Sequence, residues 1–106
     1  MTTIHYERRG GALGREVVTD IDLNQIPSDE MQEIMNLIMA TNFFDIPQNL
    51  IARAVPDEFE YTIGVDAGNS HHTIQTTDSS APESLRPLLE KLTTLAKANN
   101  PGMAET

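Results

Sequence analysis

Residues 59–76 carry the clearest periodic pattern in the chain, and few structures other than a β-hairpin accommodate it. Apolar side chains occupy every second position in its first half, namely Phe59, Tyr61, Ile63 and Val65, and Ile74 continues the pattern in its second half. This alternation places the apolar side chains on one face of a strand. Between the halves, residues 66–70 favour a chain reversal. An isolated hairpin is only marginally stable in water, so its apolar face requires more strands and a cover.

The N-terminal part of the chain predicts a second hairpin. Residues 4–9 and 15–23 each alternate apolar and polar side chains, as β-strands do. Residues 10–14 separate them and contain three glycines in five positions. Glycine allows a sharp turn at little steric cost, so the two strands are expected to pair antiparallel.

A first helix is expected between the two hairpins. Ser28 is a suitable N-cap, and Asp29 and Glu30 would lie near the positive end of the helix dipole. The apolar stripe of this helix comprises Met31, Ile34, Met35 and Ile38. Phe43, Phe44 and Ile46 follow and are expected to enter the core, and Pro47 stops any continuation of the helix.

A second helix is expected after residue 79, with Ser80 or Ala81 as its cap and Pro82 as its first residue. Pro87 then falls in its second turn, where it removes a backbone donor. Its buried stripe comprises Leu85, Leu88, Leu89, Leu92 and Leu95. Residues 48–57 fit neither a helical nor a strand period and are interpreted as a loop.

The resulting order is ββαββα, which predicts an α+β fold. The economical arrangement is a four-stranded antiparallel sheet with both helices packed on one face. We expect residues 1–98 to form a single domain and residues 99–106 to form a flexible tail. At 106 residues, such a domain buries roughly two thirds of the surface that its unfolded chain exposes.

Composition excludes several classes of partner. The formal net charge is −9, which disfavours binding to nucleic acids or to anionic lipid surfaces. Against this acidic background, Arg8, Arg9 and Arg15 flank the glycine-rich segment and predict a local positive patch. The chain has no cysteine, and its N-terminal residues do not form a secretory signal, so a cytoplasmic location is expected. No stretch is long and apolar enough to span a bilayer.

No residue pattern predicts catalysis. His71 and His72 are consecutive in a predicted strand and point to opposite faces, which prevents both from binding one metal ion. No serine lies in a strand-to-helix elbow with glycine neighbours, and no phosphate-binding glycine loop precedes a helix. The interpretation is a protein that acts by binding, without an enzymatic activity, a cofactor or a metal.

Particular residues in a particular order resemble the emfourin family of small bacterial proteins, over roughly residues 4 to 95. The resemblance is carried by Arg9-Gly10-Gly11 with Gly14, the segment of residues 43–47, the segment of residues 56–63, His72-Thr73-Ile74, Asp78, Pro82 and the segment of residues 85–89. That family is named after an inhibitor of protealysin. The resemblance implies tight binding to thermolysin-like zinc metallopeptidases, which are frequently encoded beside the inhibitor.

The hypothesis for such an inhibitor is that pre-ordered loops enter the protease cleft. Leu13 would be the apolar anchor of the first loop, with Arg9 and Arg15 meeting acidic residues around the cleft. The second contact would come from the loop that contains Leu50 and Ile51. The predicted partner-binding residues are Arg9, Gly10, Gly11, Ala12, Leu13, Arg15, Leu50, Ile51 and Arg53.

Two other functions remain open. One is a regulatory protein-protein interaction module whose partner is not a protease. The other is a homodimer formed through sheet edges or the uncovered sheet face, with Val18 near the two-fold axis. The chain is accordingly expected to be a monomer or a weak homodimer.

Overall fold

The computed structural model describes residues 2–10, 16–51 and 58–99. The main elements are β1 (Thr3–Gly10), β2 (Val17–Asp22), α1 (Ser28–Ala40), β3 (Phe59–Asp66), β4 (His71–Thr77) and α2 (Arg86–Asn99). Short 3-10 helices at Leu23–Gln25 and Phe43–Asp45 flank α1. The predicted ββαββα order and α+β class are therefore confirmed. The predicted tail begins at the last residue of α2, and residues 100–106 lie outside the described part of the chain.

The four strands form one antiparallel sheet in the order β2-β1-β3-β4. The two N-terminal strands pair with each other, and β1 pairs along its other side with β3. Tyr6 lies opposite Thr19 on one side and Ile63 on the other, and Gly10 lies opposite Phe59. The two hairpins are thus joined through β1 and β3, which occupy the centre of the sheet.

One face of the sheet carries the core, with the facing that the alternation predicts. Its innermost strand residues are Ile4, Tyr6, Ile21, Tyr61, Ile63, Val65 and Ile74. Both helices contribute to the same apolar cluster, through Ile34 and Ile38 of α1 and through Leu88, Leu89, Leu92 and Ala96 of α2. A hydrogen bond of 2.8 Å between the Tyr6 hydroxyl and Thr93 Oγ1 also ties β1 to α2. The opposite face of the sheet carries no helix among the described residues.

The start of α1 differs in detail from the prediction. Ser28 is the first helical residue, the cap position belongs to Pro27, and no side chain caps this end. Asp29 and Glu30 do lie in the first turn, where their negative charges interact favourably with the positive end of the helix dipole. The predicted N-cap was wrong by one residue because Pro27, in an extended conformation, already sets the entry angle of the helix.

Phe44 is the one predicted core residue after α1 that the structure places outside, with 40% of its surface exposed. Asn42 adopts a left-handed conformation and directs the chain into the 3-10 helix, whose successive side chains point in different directions. Phe43 is buried there, whereas Phe44 is exposed. The two rings form a T-shaped contact, with their centroids 5.8 Å apart.

The connection from β4 to α2 is longer than predicted. Ser80 does not cap the helix; its Oγ accepts a hydrogen bond of 2.8 Å from the Thr77 backbone N–H and closes a turn after β4. The helix begins at Arg86, so Pro87 is its second residue. A proline in the first turn removes no intrahelical hydrogen bond, so Pro87 is compatible with a helix that starts at Arg86.

Residues 48–50, predicted as part of a loop, form a single bridge to the edge of the sheet. The Leu50 N–H donates to the Gln75 carbonyl over 2.9 Å, and the Gln75 N–H donates to the Gln48 carbonyl over 2.8 Å. Asn49 thereby forms a parallel bridge with Gln75 of β4. The chain itself covers the edge of β4 at this point. The loop interpretation is consistent with residues 48–51, which form no helix or strand, but it missed the bridge to Gln75.

Candidate functional site

Both segments predicted to bind a partner connect to one end of the sheet. We call it the loop-bearing end and define it by Gly10, Glu58, Phe59 and Asp78. Residues 11–15 leave from Gly10 at the end of β1, and residues 52–57 lead into Glu58 just before β3. Both segments lie outside the described residues, and with them the predicted contacts Gly11, Ala12, Leu13, Arg15 and Arg53.

Arg9 and Ile51, one residue from each predicted contact, line the same shallow depression. This depression has a volume of about 180 Å³ and lies on the helix-free face, and its other lining residues are Glu60, Tyr61, Thr62 and Gln75. Arg9 is exposed, and its guanidinium lies 3.6 Å from Glu7 Oε2. The structure therefore brings together Arg9 and Ile51, one described residue from each of the two contacts that the sequence analysis treated as separate.

The approach of the second segment to this site is fixed by the backbone bonds to Gln75. Leu50 is half-buried and packs against the core cluster. Ile51 is also half-buried, and its N–H donates a hydrogen bond of 2.9 Å to Asn49 Oδ1. The side chain with access to the depression is thus Ile51, while Leu50 mainly anchors the segment.

Gly10, at the end of β1, closely approaches Glu58, just before β3. Its φ is +88°, a conformation that L-residues with side chains rarely adopt. A Cβ atom at this position would lie only 2.9 Å from the Glu58 carbonyl oxygen. Glycine is therefore required at this position for two reasons: the positive φ angle and the close approach of β1 to the start of β3.

Asp78, in the turn after β4, ties the start of β3 to the rest of the fold. Its Oδ2 accepts a hydrogen bond of 3.1 Å from the Phe59 N–H, and its Oδ1 accepts one of 2.8 Å from the Tyr61 hydroxyl. Its backbone carbonyl accepts a bond of 2.9 Å from the Arg86 guanidinium. Next to it, Ser79 Oγ donates to Glu58 Oε2 over 3.1 Å.

The Tyr61 hydroxyl is a stable donor in this network. Burial raises the pKa of Tyr61, and the hydrogen bond to Asp78 raises it further, because an ionised phenol would face a carboxylate. Burial also raises the pKa of Tyr6, whose ring lies 6.3 Å from that of Tyr61. Both hydroxyls therefore stay protonated at neutral pH.

Arg8 does not contribute to the predicted positive patch. Its side chain points to the core face and is only 7% exposed, with the guanidinium carbon 4.1 Å from the centre of the Phe59 ring. Its Nε has no hydrogen-bond partner among the described residues. The prediction was wrong here because strand alternation sends consecutive arginines to opposite faces, so that Arg9 alone of this pair reaches the surface.

The helix-free face also carries a histidine in an ionic environment. Nδ1 of His5 lies 2.7 Å from Asp20 Oδ1, and its Nε2 lies 3.4 Å from Glu7 Oε1. The hydrogen bond to Asp20 is the main reason that the pKa of His5 is raised. His72 is on the other face and bonds the Ile46 carbonyl over 2.5 Å, while His71 is exposed, so the two side chains point to opposite faces as predicted.

No group of three or more histidine, cysteine or carboxylate side chains within the described ranges could hold a metal ion. Neither described helix combines the length and hydrophobicity that crossing a bilayer requires.

Comparison with known protein families matches residues 6–93 to emfourin. The chain belongs to the emfourin family. The match runs from Tyr6 in β1 to Thr93 in α2, the two residues whose side chains hydrogen-bond across the core. It covers most of the sheet, all of α1 and the first half of α2. No curated protein and no solved structure gave a match to this emfourin.

The sequence analysis of this emfourin missed the residues that organise the loop-bearing end. Asp78 was noted only as part of the family resemblance, and Arg8 only as a surface charge. A local signal existed for Arg8, because it shares parity with Ile4 and Tyr6 and so belongs to the buried face. No local signal identified the partners of Asp78, which lie 17 and 19 residues away in sequence.

Proposed function

We propose that this emfourin inhibits thermolysin-like zinc metallopeptidases, with the loop-bearing end of the sheet entering the protease cleft. The observation that supports this most is the position of Arg9 and Ile51 on one depression, beside the points where both predicted contact segments leave the fold. Family membership supports the class of partner, since the resemblance to emfourins implies binding to thermolysin-like metallopeptidases.

The proposed mechanism depends on pre-ordering. A loop that is already held in its bound conformation loses little conformational entropy on binding, so more of the contact energy appears as affinity. At this end Gly10 packs on the Glu58 carbonyl, Asp78 holds Phe59, and Gln75 holds Leu50. Both segments are thus anchored at residues whose backbone is hydrogen-bonded or tightly packed.

The proposed anchor is an aliphatic side chain, because thermolysin-like clefts accept a bulky aliphatic residue beside the zinc ion. Leu13 is the candidate in the first segment, and Ile51 is the candidate beside the second. Arg9 and Arg15 would face acidic groups at the rim of the cleft and would mainly increase the association rate. Arg53 would act in the same way from the second segment.

The direct test is a titration against a thermolysin-like enzyme with a peptide substrate. We expect Leu13→Asp to raise the inhibition constant at least a hundredfold, because a charge would enter an apolar pocket. Met39→Asp is the matched control, since Met39 is 70% exposed on α1 and undergoes the same change of chemistry away from the loop-bearing end. Equal inhibition by the Leu13→Asp and wild-type proteins would remove this loop from the mechanism.

A homodimer is the second candidate, and the exposure of Val18 favours it. Val18 is 44% exposed on the edge strand β2, where it lies opposite Glu7. Pairing two copies there would bury this side chain. Sedimentation of the wild-type protein and of Val18→Lys decides the question: a dimer that dissociates in the variant supports it, and a wild-type monomer at high concentration excludes it.

A further inference from the structure

We propose that Asp78 is a positioning residue for inhibition: it orders the loop-bearing end without touching the protease. This inference rests on the proposed function and assigns a role in it to a residue outside both contact segments. It starts from the two hydrogen bonds of the Asp78 carboxylate, to the Phe59 N–H and to the Tyr61 hydroxyl.

Phe59 is the residue through which Asp78 acts. It is the first residue of β3, and only Glu58 separates it from residues 52–57 in the sequence. A strand end is normally free to fray, but here one oxygen of Asp78 accepts the Phe59 N–H and the other holds Tyr61, two residues further on. The carboxylate therefore fixes both the position and the direction of the strand end.

The Phe59 ring carries this order across to β1. It packs on the Arg8 guanidinium, whose carbon atom lies 4.1 Å from the ring centre. Arg8 is two residues before Gly10, from which residues 11–15 depart. Within the described ranges Arg8 forms no ion pair with a carboxylate and its Nε has no hydrogen-bond partner, so the stack on Phe59 is the contact that holds this guanidinium.

Asp78 itself is held by α2. Its backbone carbonyl accepts the 2.9 Å bond from the Arg86 guanidinium, and Arg86 is the first residue of that helix. Ser79 adds the 3.1 Å bond to Glu58, on the other side of Phe59. The turn after β4 thus connects the helical layer to the bases of both contact segments.

The test compares Asp78→Ala and Asp78→Asn with Ile34→Ala, which removes core volume under α1 and leaves this network intact. At a temperature where all variants are folded, we expect Asp78→Ala to raise the inhibition constant at least tenfold. Asparagine can still accept the Phe59 N–H and donate to the Tyr61 oxygen, so Asp78→Asn should restore most of the inhibition. Ile34→Ala should lower the unfolding midpoint at least as much and leave inhibition within about twofold of wild type.

Amide hydrogen exchange of the free proteins gives a second readout. In Asp78→Ala the amides of Phe59, Glu60 and Gly10 should exchange at least tenfold faster, whereas those of Ile63 and Ile74 should change little. Unchanged inhibition by Asp78→Ala, or an equal loss of inhibition in Ile34→Ala, would overturn the positioning role. If the wild-type protein inhibits no thermolysin-like enzyme, the proposed function fails, and the exchange pattern still decides whether Asp78 orders this end.

Discussion

The two ends of the sheet are closed in different ways. At the β3–β4 reversal, the bonds are local: Asp66 Oδ1 accepts the Gly68 N–H over 3.0 Å, and the Ala67 N–H donates to the Ser70 carbonyl over 2.8 Å. At the loop-bearing end, Asp78 holds residues that are 17 and 19 positions away. Local hydrogen bonds stabilise the turn itself, whereas the long-range hydrogen bonds of Asp78 hold the start of β3 in place relative to the rest of the fold.

The difference between local and long-range hydrogen bonds indicates different roles for the two ends of the sheet. The β3–β4 reversal is fully exposed and requires only a compact loop. The loop-bearing end uses side chains from β1, β3, the turn after β4 and α2 to hold the bases of two segments. Long-range contacts that order one end of a sheet are expected where a protein presents loops to a partner, because pre-ordered loops bind with higher affinity.

Two glycines with nearly the same φ allow the two ends to be compared directly. Gly10 has a φ of +88° and Gly68 a φ of +89°, but a Cβ atom would meet the Glu58 oxygen at Gly10 and open space at Gly68. We expect Gly68→Ala to destabilise the fold by about 1–2 kcal/mol through the backbone angle alone. Gly10→Ala adds the steric clash and should destabilise by about 2–4 kcal/mol.

Denaturant unfolding of the two alanine variants measures this difference, and inhibition assays extend it to function. Gly10→Ala should weaken inhibition strongly, while Gly68→Ala should inhibit like the wild type. Equal free energies of unfolding for the two variants would show that the contact between Gly10 and Glu58 does not constrain the loop-bearing end.

Single hydrogen bonds at the two ends give a smaller contrast. Tyr61→Phe removes the hydroxyl that donates to Asp78 and leaves a part-buried carboxylate oxygen without that donor, so we expect a loss of about 1–2 kcal/mol. Asp66→Ala removes an exposed turn bond whose donor is then free to bond water, so we expect a loss of about 0.5–1 kcal/mol. Denaturant unfolding compares the two, and a larger loss in Asp66→Ala would contradict the distinction between the ends.

The smallest expected effect is a pH dependence from His5, on the helix-free face. Its pKa is raised above the ordinary value of about 6.5 by Asp20, so folding favours its protonated form. The stabilisation is complete below about pH 6.5 and is lost as the pH rises through the folded-state pKa. Because the pair is exposed, we expect about 0.5 kcal/mol or less.

Unfolding midpoints measured from pH 5.5 to pH 8.5, a range chosen to bracket that value, provide the test. Both His5→Gln and Asp20→Asn should flatten the profile, since each removes one partner of the 2.7 Å contact. A profile unchanged in either variant would mean that this pair does not couple to folding.

Much of the fold could be predicted because strands and helices carry their periods locally. Alternation gave the correct inward face of Tyr6, Ile63 and Ile74, and the 3.6-residue spacing gave the buried stripes of both helices. The start of α2 was misplaced because Pro82 and Pro87 are both acceptable in a first helical turn, and only the packing of the β4–α2 connection decides between them.

The site could be predicted only in part, for a physical reason. Glycine content and aliphatic residues on connections suggested the two segments, but the closeness of Gly10 to Phe59 at one end follows from the pairing of β1 with β3, which connects residues far apart in sequence. The bridge from Asn49 to β4 and the bonds of Asp78 are likewise long-range. Neither leaves a periodic trace in the sequence around it.

The most direct test of the central claim is the footprint of the protease on this emfourin. Amide exchange should be measured by NMR for the free protein and for its complex with a thermolysin-like enzyme. We predict new protection at residues 9–15 and 50–59, and no change at the β3–β4 reversal, residues 66–71. Protection at that reversal or on α1, with the loop-bearing end unchanged, would contradict the account.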